Sequence, residues 1–439
     1  MGRILRWIAV LLVALVSPVR ADPVLARPAD ALVDSIGVNT HFGYDDRPYV
    51  SAFGRLKVKL AALGVRHIRD GNSNRKDVAA RINELYRSHG IRVLQLVGPR
   101  IDSATPWLGK LDAGKIDREL DQIKSLFRES NEGIEGPNEY DLTHNHPQPQ
   151  VNDPDWPATL RSYTEALQKK VGADPILKGR PVIGPSMAHA FNAPKAGDLS
   201  AFITFGNMHP YPGGWNPGRG LDDYNLPNTR KMTGDRVLWA TETGYHNAMK
   251  QAPGGHFACP EGVAGKYGPR LVAEYFRRGF GRAYFYELVD EGTNLNEQEG
   301  NFGLLRHDLS EKPIYKSLQH TISLLKDPGP PFKPGKLDYT LAGDTKEIHQ
   351  VLLEKRDGRF YLLLWQEVPS YDVPKRKEEQ PAARPLTVNL AKPMRRATIF
   401  LPSSSGTRPV NRIDSPQLVK VAVPDQLLVI ELTPKSPAR

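Results

Sequence analysis

Two hydrophobic rhythms alternate along the first three quarters of the chain. Short runs rich in apolar and β-branched residues, at 35–40, 65–69, 91–97, 133–135, 181–184, 205–209, 236–240 and 282–288, have the length of strands. Between them, apolar residues recur at helical spacing over 51–62, 78–88, 116–127, 156–171, 268–280 and 314–325. In the first of these helices the spaced residues are Phe53, Leu56, Leu60 and Ala61. Strands that alternate with helices build a parallel sheet, and about eight such units predict a (β/α)8 TIM barrel over residues 22–330. The stretch between 209 and 236 reads as one long Gly/Pro-rich loop.

The rhythm changes at Asp327-Pro328-Gly329-Pro330-Pro331. Beyond it the pattern is period-two and poor in helix, with strands expected at 348–354, 360–365, 386–390, 397–401, 418–423 and 427–432. Asp357-Gly358 is a hairpin signal between two of them. Residues 331–439 are therefore expected to form a small all-β sandwich.

Composition adds limits. A chain of 439 residues has room for two domains, and 25% charged with 39% hydrophobic residues is globular rather than disordered composition. The net charge of +10 is spread along the chain without a basic run or a nucleic-acid-binding motif, so nucleic acid is not an expected partner. The excess leaves room for an acidic polysaccharide. At the N-terminus, Arg3 and Arg6 precede an apolar core from Ile8 to Val16, and Ala21 stands at a small-residue cleavage site. This is the layout of a signal peptide over 1–21, which predicts export to the periplasm or outside, with no membrane span in the mature form. Cys259 is the only cysteine, so neither an intrachain disulfide nor a cysteine-based metal site can form. No histidine or glutamate spacing marks a metal centre. No cofactor is expected, and the expected state is a monomer.

A parallel barrel brings the C-terminal ends of its strands to one face. There this sequence would gather Asn39 and His41, Arg69 and Asp70, Asn138 and Glu139, His209 and Tyr211, Glu242, Tyr286 and Glu287. Glu139 follows a Gly136-Pro137 break in Ile134-Glu135-Gly136-Pro137-Asn138-Glu139-Tyr140, and Glu242 ends the apolar run Val237-Leu238-Trp239-Ala240. Two facing carboxylates are what cleavage of a glycosidic bond requires: one to protonate the leaving oxygen, the other to attack the anomeric carbon or activate water. Arg69 could supply the positive charge that keeps Glu242 ionised.

With these residues in place the chain resembles the clan A glycoside hydrolases, barrel enzymes with catalytic glutamates after strands four and seven. Its features are similar to those of families 39, 5 and 79 without matching one. The resemblance implies Glu139 as acid/base, in Asn138-Glu139, and Glu242 as nucleophile, in Thr241-Glu242-Thr243-Gly244. It also implies a structural or binding role for Arg69, in His67-Ile68-Arg69-Asp70-Gly71, and for His209 or Tyr211, in Met208-His209-Pro210-Tyr211. The widespread Trp-Asn-Glu-Pro form is absent, since Pro137 precedes Asn138 and Tyr140 follows Glu139.

Around this pair, Asn138 is expected to bind a sugar hydroxyl, with His41 in a binding role and Glu287 as binding residue or loop-supporting ion pair. Trp215 and Tyr245 are the candidate stacking platforms. The expected activity is secreted, retaining hydrolysis of a polysaccharide or oligosaccharide. Transglycosylation on the same site and a non-catalytic carbohydrate-binding barrel are the alternatives. A Schiff-base aldolase barrel is disfavoured, because no lysine falls at an expected strand end.

Overall fold

The computed structural model describes residues 23–98, 110–145, 149, 151–252 and 256–435. The proposed signal peptide lies outside the described residues.

Eight parallel strands form the barrel: β1 (Ile36–Asn39), β2 (His67–Gly71), β3 (Arg92–Leu96), β4 (Asn131–Glu135), β5 (Val182–Ile183), β6 (Gly206–Met208), β7 (Leu238–Thr243) and β8 (Arg282–Phe285). Each pairs with its neighbour in sequence and β8 pairs with β1. The ring closes between β5 and β6 through a parallel bridge from Ile183 to Phe205, where the Gly184 N–H donates to Phe205 O at 2.9 Å. The strands are buried almost throughout, because side chains fill the barrel on one side and helices cover the other. On β7, for instance, Trp239 packs inside the barrel with Leu94, Ile183 and Tyr284, while Leu238 and Ala240 face the helices.

The expected helices are present as Phe53–Leu63, Lys76–His89, Ile116–Gln122 with a wider turn to Phe127, Trp156–Ala173, Glu261–Arg277 and Pro313–Leu325. Two differ from the sequence reading. Helix Glu261–Arg277 begins seven residues early, because Gly265, Gly268 and Pro269 look like helix breakers in isolation. A Cβ on Gly265 would stand 2.7 Å from Pro313 Cβ, and one on Gly268 2.7 Å from Ile314 Cγ1, so the glycines let two helices approach closely. A helix Leu226–Thr233 also lies inside the stretch read as loop. It is only eight residues long, has Pro227 in its first turn and buries Thr229, Met232 and Thr233, which gives too little apolar periodicity to detect.

The second domain is a sandwich of a three-stranded and a six-stranded antiparallel-dominated sheet. Its centre strand Phe360–Gln366 is buried at every position. Leu362 and Leu364 face the sandwich core with Val388, Val419 and Ile430, whereas Tyr361, Leu363 and Trp365 face the barrel helices. This two-sided burial explains its unbroken apolar sequence, and each covered side chain contributes roughly 1.5–3 kcal/mol. The first described strands return to this domain: Arg27–Pro28 extends the six-stranded sheet and Val24–Leu25 pairs with Lys336–Leu337. Residues ahead of the barrel thus complete the sheets that follow it.

Candidate active site

The site is built on the last inward-facing positions of β1, β2 and β4. Arg69 on β2 is 5% exposed and uses all five of its N–H groups. Its Nε and Nη2 donate to Glu135 at 2.6 and 2.8 Å, its Nη2 also to Asn138 Oδ1 at 2.6 Å, and its Nη1 to Asn39 Oδ1 at 2.9 Å and to Glu242 Oε1 at 2.6 Å. Glu135 is fully buried below and accepts further bonds from Thr241 Oγ1 at 2.9 Å and Asn207 Nδ2 at 3.1 Å. The guanidinium is therefore fixed in a plane between a structural carboxylate and a reactive one.

Glu242 is the next-to-last residue of β7, with its other oxygen accepting from the Tyr211 hydroxyl at 2.8 Å. The chain turns at once through Gly244, whose φ of +149° and 2.8 Å spacing from a built Cβ to Tyr286 O leave no room for a side chain. Glu139 follows the β4 break in the left-handed region, at φ 45°, and its N–H donates to Ser186 Oγ. That turn brings its carboxylate to His209 Nδ1 at 2.8 Å. One ligand-capable oxygen from each of Glu139 and Glu242 and a nitrogen of His209 all lie within 4.8 Å of one another.

The hydrogen-bond pattern places a proton here. The Thr241 hydroxyl has one hydrogen, and acceptors on Glu135 and Asn207 both lie 2.9 Å away. His209 Nε2, 3.0 Å from the same oxygen, therefore donates to it. The remaining proton of the His209–Glu139 contact sits between Nδ1 and the carboxylate. Burial disfavours the imidazolium, yet Glu242 and Glu139 raise the His209 pKa above its ordinary value. Burial likewise opposes ionisation of Glu242, but His209, Arg69 and Tyr211 together bring its pKa below the usual carboxylate value. Burial, followed by the charge of Glu242, pushes the Tyr211 phenol well up, so it stays a donor.

These residues open into a cleft of about 970 Å³. Its walls include Tyr44, Tyr286, Phe302 and His256, and the Tyr211 ring lies edge-on to Phe302 at 5.6 Å and 4.9 Å from His256. His41 lines the cleft with its Nδ1 on Glu291 at 2.6 Å and on Glu287 at 3.2 Å. Glu287 is buried behind it and accepts from Tyr49 at 2.7 Å; burial raises its pKa to about 7. Glu287 thus supports His41 and does not line the cleft. His41, Glu287 and Glu291, like Glu139, His209 and Glu242, are close enough to hold a cation, but in both sets the histidine nitrogen already engages a carboxylate.

The two stacking platforms are placed differently from the sequence reading. Tyr245 points away from the cleft into the core, where its ring meets Tyr267 at 5.2 Å, because the residue after the Gly244 turn faces the helices. Trp215 lines a smaller side pocket of about 320 Å³, shared with His209 and Tyr211, and the Arg219 guanidinium covers its face at 3.7 Å. Glu135 was not singled out from the sequence. Its signal was present: a carboxylate at the last inward position of β4, level with an arginine on β2.

No protein-family model matches the chain, and no curated protein matches it in sequence. Solved structures do match. A glucosidase from Croceicoccus marinus superposes with a TM-score of 0.62 at 13% identity, covering 95% of this chain and 98% of that one. A family 39 glycoside hydrolase from the gut symbiont Bacteroides cellulosilyticus WH2 superposes with a TM-score of 0.55 at 15% identity, covering 93% and 81%. The chain shares its overall architecture with these two solved structures. At these identities the likeness is one of architecture, and the chemistry rests on the residues described above.

Proposed function

We propose that the protein is a retaining glycoside hydrolase acting by double displacement. Glu242 attacks the anomeric carbon as the bond to the leaving oxygen breaks, and Glu139 gives that oxygen its proton. Glu139 then takes a proton from water, whose oxygen attacks the same carbon and releases Glu242. The observation that carries this reading is the spacing of the pair, with an oxygen of each glutamate inside 4.8 Å. Retaining enzymes hold their carboxyl groups roughly 5–5.5 Å apart, and inverting ones leave room for a water between them. The electrostatics of the nucleophile agree, since His209, Arg69 and Tyr211 favour ionised Glu242, and Glu139 hydrogen-bonds His209 Nδ1.

The cleft also favours a neutral sugar. Among the described residues, its arginines are already paired: Arg47 with Asp46 and Glu291, Arg69 with Glu135 and Glu242, and Arg75 with Asp45 and Asp77. The dispersed positive charge of the chain does not gather at the catalytic pair. Export, read from residues 1–21, fits an enzyme that meets an extracellular or periplasmic glycan.

Azide rescue tests the mechanism. Glu139→Ala should lose turnover on glycosides with poor leaving groups and, with an activated aryl glycoside and azide, should release a glycosyl azide of retained anomeric configuration. An inverted first-formed product from the wild type would overturn the double displacement.

A further inference from the structure

The segment after strand Phe360–Gln366 leaves the sandwich and reaches the barrel mouth. Glu367 is buried there and ties three parts of the molecule together. Its Oε1 accepts from Asn216 Nδ2 at 2.8 Å and from the Gly218 N–H at 2.7 Å, and its Oε2 accepts from Arg270 Nη2 at 2.9 Å. Arg270 is wholly buried on helix Glu261–Arg277 and also donates to the carbonyls of Val368 and Asp425, both at 2.9 Å. One carboxylate thus joins a barrel helix, the second domain and the loop that follows β6.

That loop begins at His209 and carries Tyr211, the hydroxyl donor to Glu242. It has no slack on its outer side. A Cβ on Gly214 would lie 2.6 Å from Ala258 O and 3.0 Å from the Val373 side chain, and one on Gly218 would lie 3.1 Å from Glu367 Oε1. The same part of the second domain also holds the loop after β7, where Arg376 donates to Met249 O. Further along that loop is His256, whose ring rests against Tyr211. Tyr211 therefore sits on a loop fastened to the second domain and rests against His256 of the loop after β7.

We propose that the second domain is a working part of the cleft, with Glu367 as a positioning residue that holds Tyr211 on Glu242 through the 209–220 loop. This rests on the reading of Glu242 as nucleophile. Removing Glu367 alone would strand the buried Arg270, so the test begins on the loop. Asn216→Asp sets a second carboxylate against Glu367 Oε1 and leaves the Arg270 pair in place. Asn216→Ala removes the donor without adding charge.

In the full chain, Asn216→Asp should speed amide hydrogen exchange over 209–220 by at least tenfold. It should also move the acid limb of kcat/KM to higher pH, because Tyr211 no longer holds Glu242 ionised. Asn216→Ala should move both in the same direction. Unchanged exchange in a folded Asn216→Asp protein overturns the proposal, and so does faster exchange with an unmoved acid limb. If the wild type cleaves no glycoside, the reading of the site fails, and exchange alone still decides whether the brace exists.

Discussion

Glu135 holds Arg69 through two parallel hydrogen bonds, at 2.6 and 2.8 Å, directly beneath the candidate nucleophile. The pair is closed to water, with Glu135 fully buried and Arg69 nearly so. Arg69 could not keep its orientation toward Glu242, Asn39 and Asn138 without a second anion to fix its plane. Glu135→Ala leaves a buried guanidinium with Glu242 as its only charged partner. Removing one member of a buried ion pair costs on the order of 3 kcal/mol, which thermal unfolding should register. Glu135→Gln keeps the shape and one acceptor. It should fold with a smaller loss of stability yet lose kcat more than KM, since the displaced arginine faces the reacting glutamate.

Glu242→Gln removes the attacking oxygen and leaves Arg69 its full pairing with Glu135. This variant should keep the wild-type fold by circular dichroism and lose kcat by roughly 10⁴-fold or more. Wild-type turnover in Glu242→Gln would exclude this residue as nucleophile.

Tyr211→Phe deletes the 2.8 Å hydrogen bond to Glu242 Oε2 and little else. That bond favours the ionised carboxylate, so its loss raises the Glu242 pKa. The sign is fixed: the acid limb of kcat/KM moves to higher pH, and kcat falls by roughly 10- to 100-fold. A limb moving to lower pH would show that Tyr211 does not stabilise the ionised form.

Substrate charge gives an independent check. With Arg47, Arg69 and Arg75 of the cleft paired to carboxylates, a uronate at the catalytic pair would meet no unpaired arginine of that cleft. An uncompensated carboxylate brought into the cleft loses hydration without replacement. Neutral aryl glycosides should exceed the matching glucuronides in kcat/KM by about tenfold or more, a difference of about 1.4 kcal/mol. A preference for the glucuronide would require an unpaired cation at the sugar.

How far the sequence reached depended on which side of a strand it could resolve. The barrel was legible because β1–β8 alternate with strongly periodic helices, and Glu139 and Glu242 could be placed together because each lies at a strand's C-terminal end beside a turn-forming glycine, Gly136 or Gly244. Glu135 was missed since reading stopped at the break after β4, although it stands on the same inward parity as Arg69. Tyr245 was misplaced because adjacency to Glu242 says nothing about direction once Gly244 has turned the chain. The helix Leu226–Thr233 is too short to show a period, and the role of Glu367 depends on contacts across more than a hundred residues, which no local pattern encodes.

The interface between the domains should have its own acid limit, set by Glu274. This buried carboxylate accepts from Trp365 Nε1 of the sandwich at 2.7 Å and meets His349 and Arg278. Burial pushes its pKa up, but His349 and Arg278 outweigh that and bring it from 4.5 down to about 2. A carboxylate with a lowered folded pKa stabilises the fold above its unfolded pKa, and that contribution is lost as pH falls through the folded value. The window therefore runs from about pH 4.5 to 2, and the shift corresponds to roughly 3 kcal/mol at full effect. Glu274→Gln keeps an acceptor for Trp365 but cannot titrate. At pH 6 the wild type should unfold at a higher temperature than Glu274→Gln, and the gap should close as pH falls toward 2. A gap that stays constant across that window would mean the charge of Glu274 does not hold the domains together.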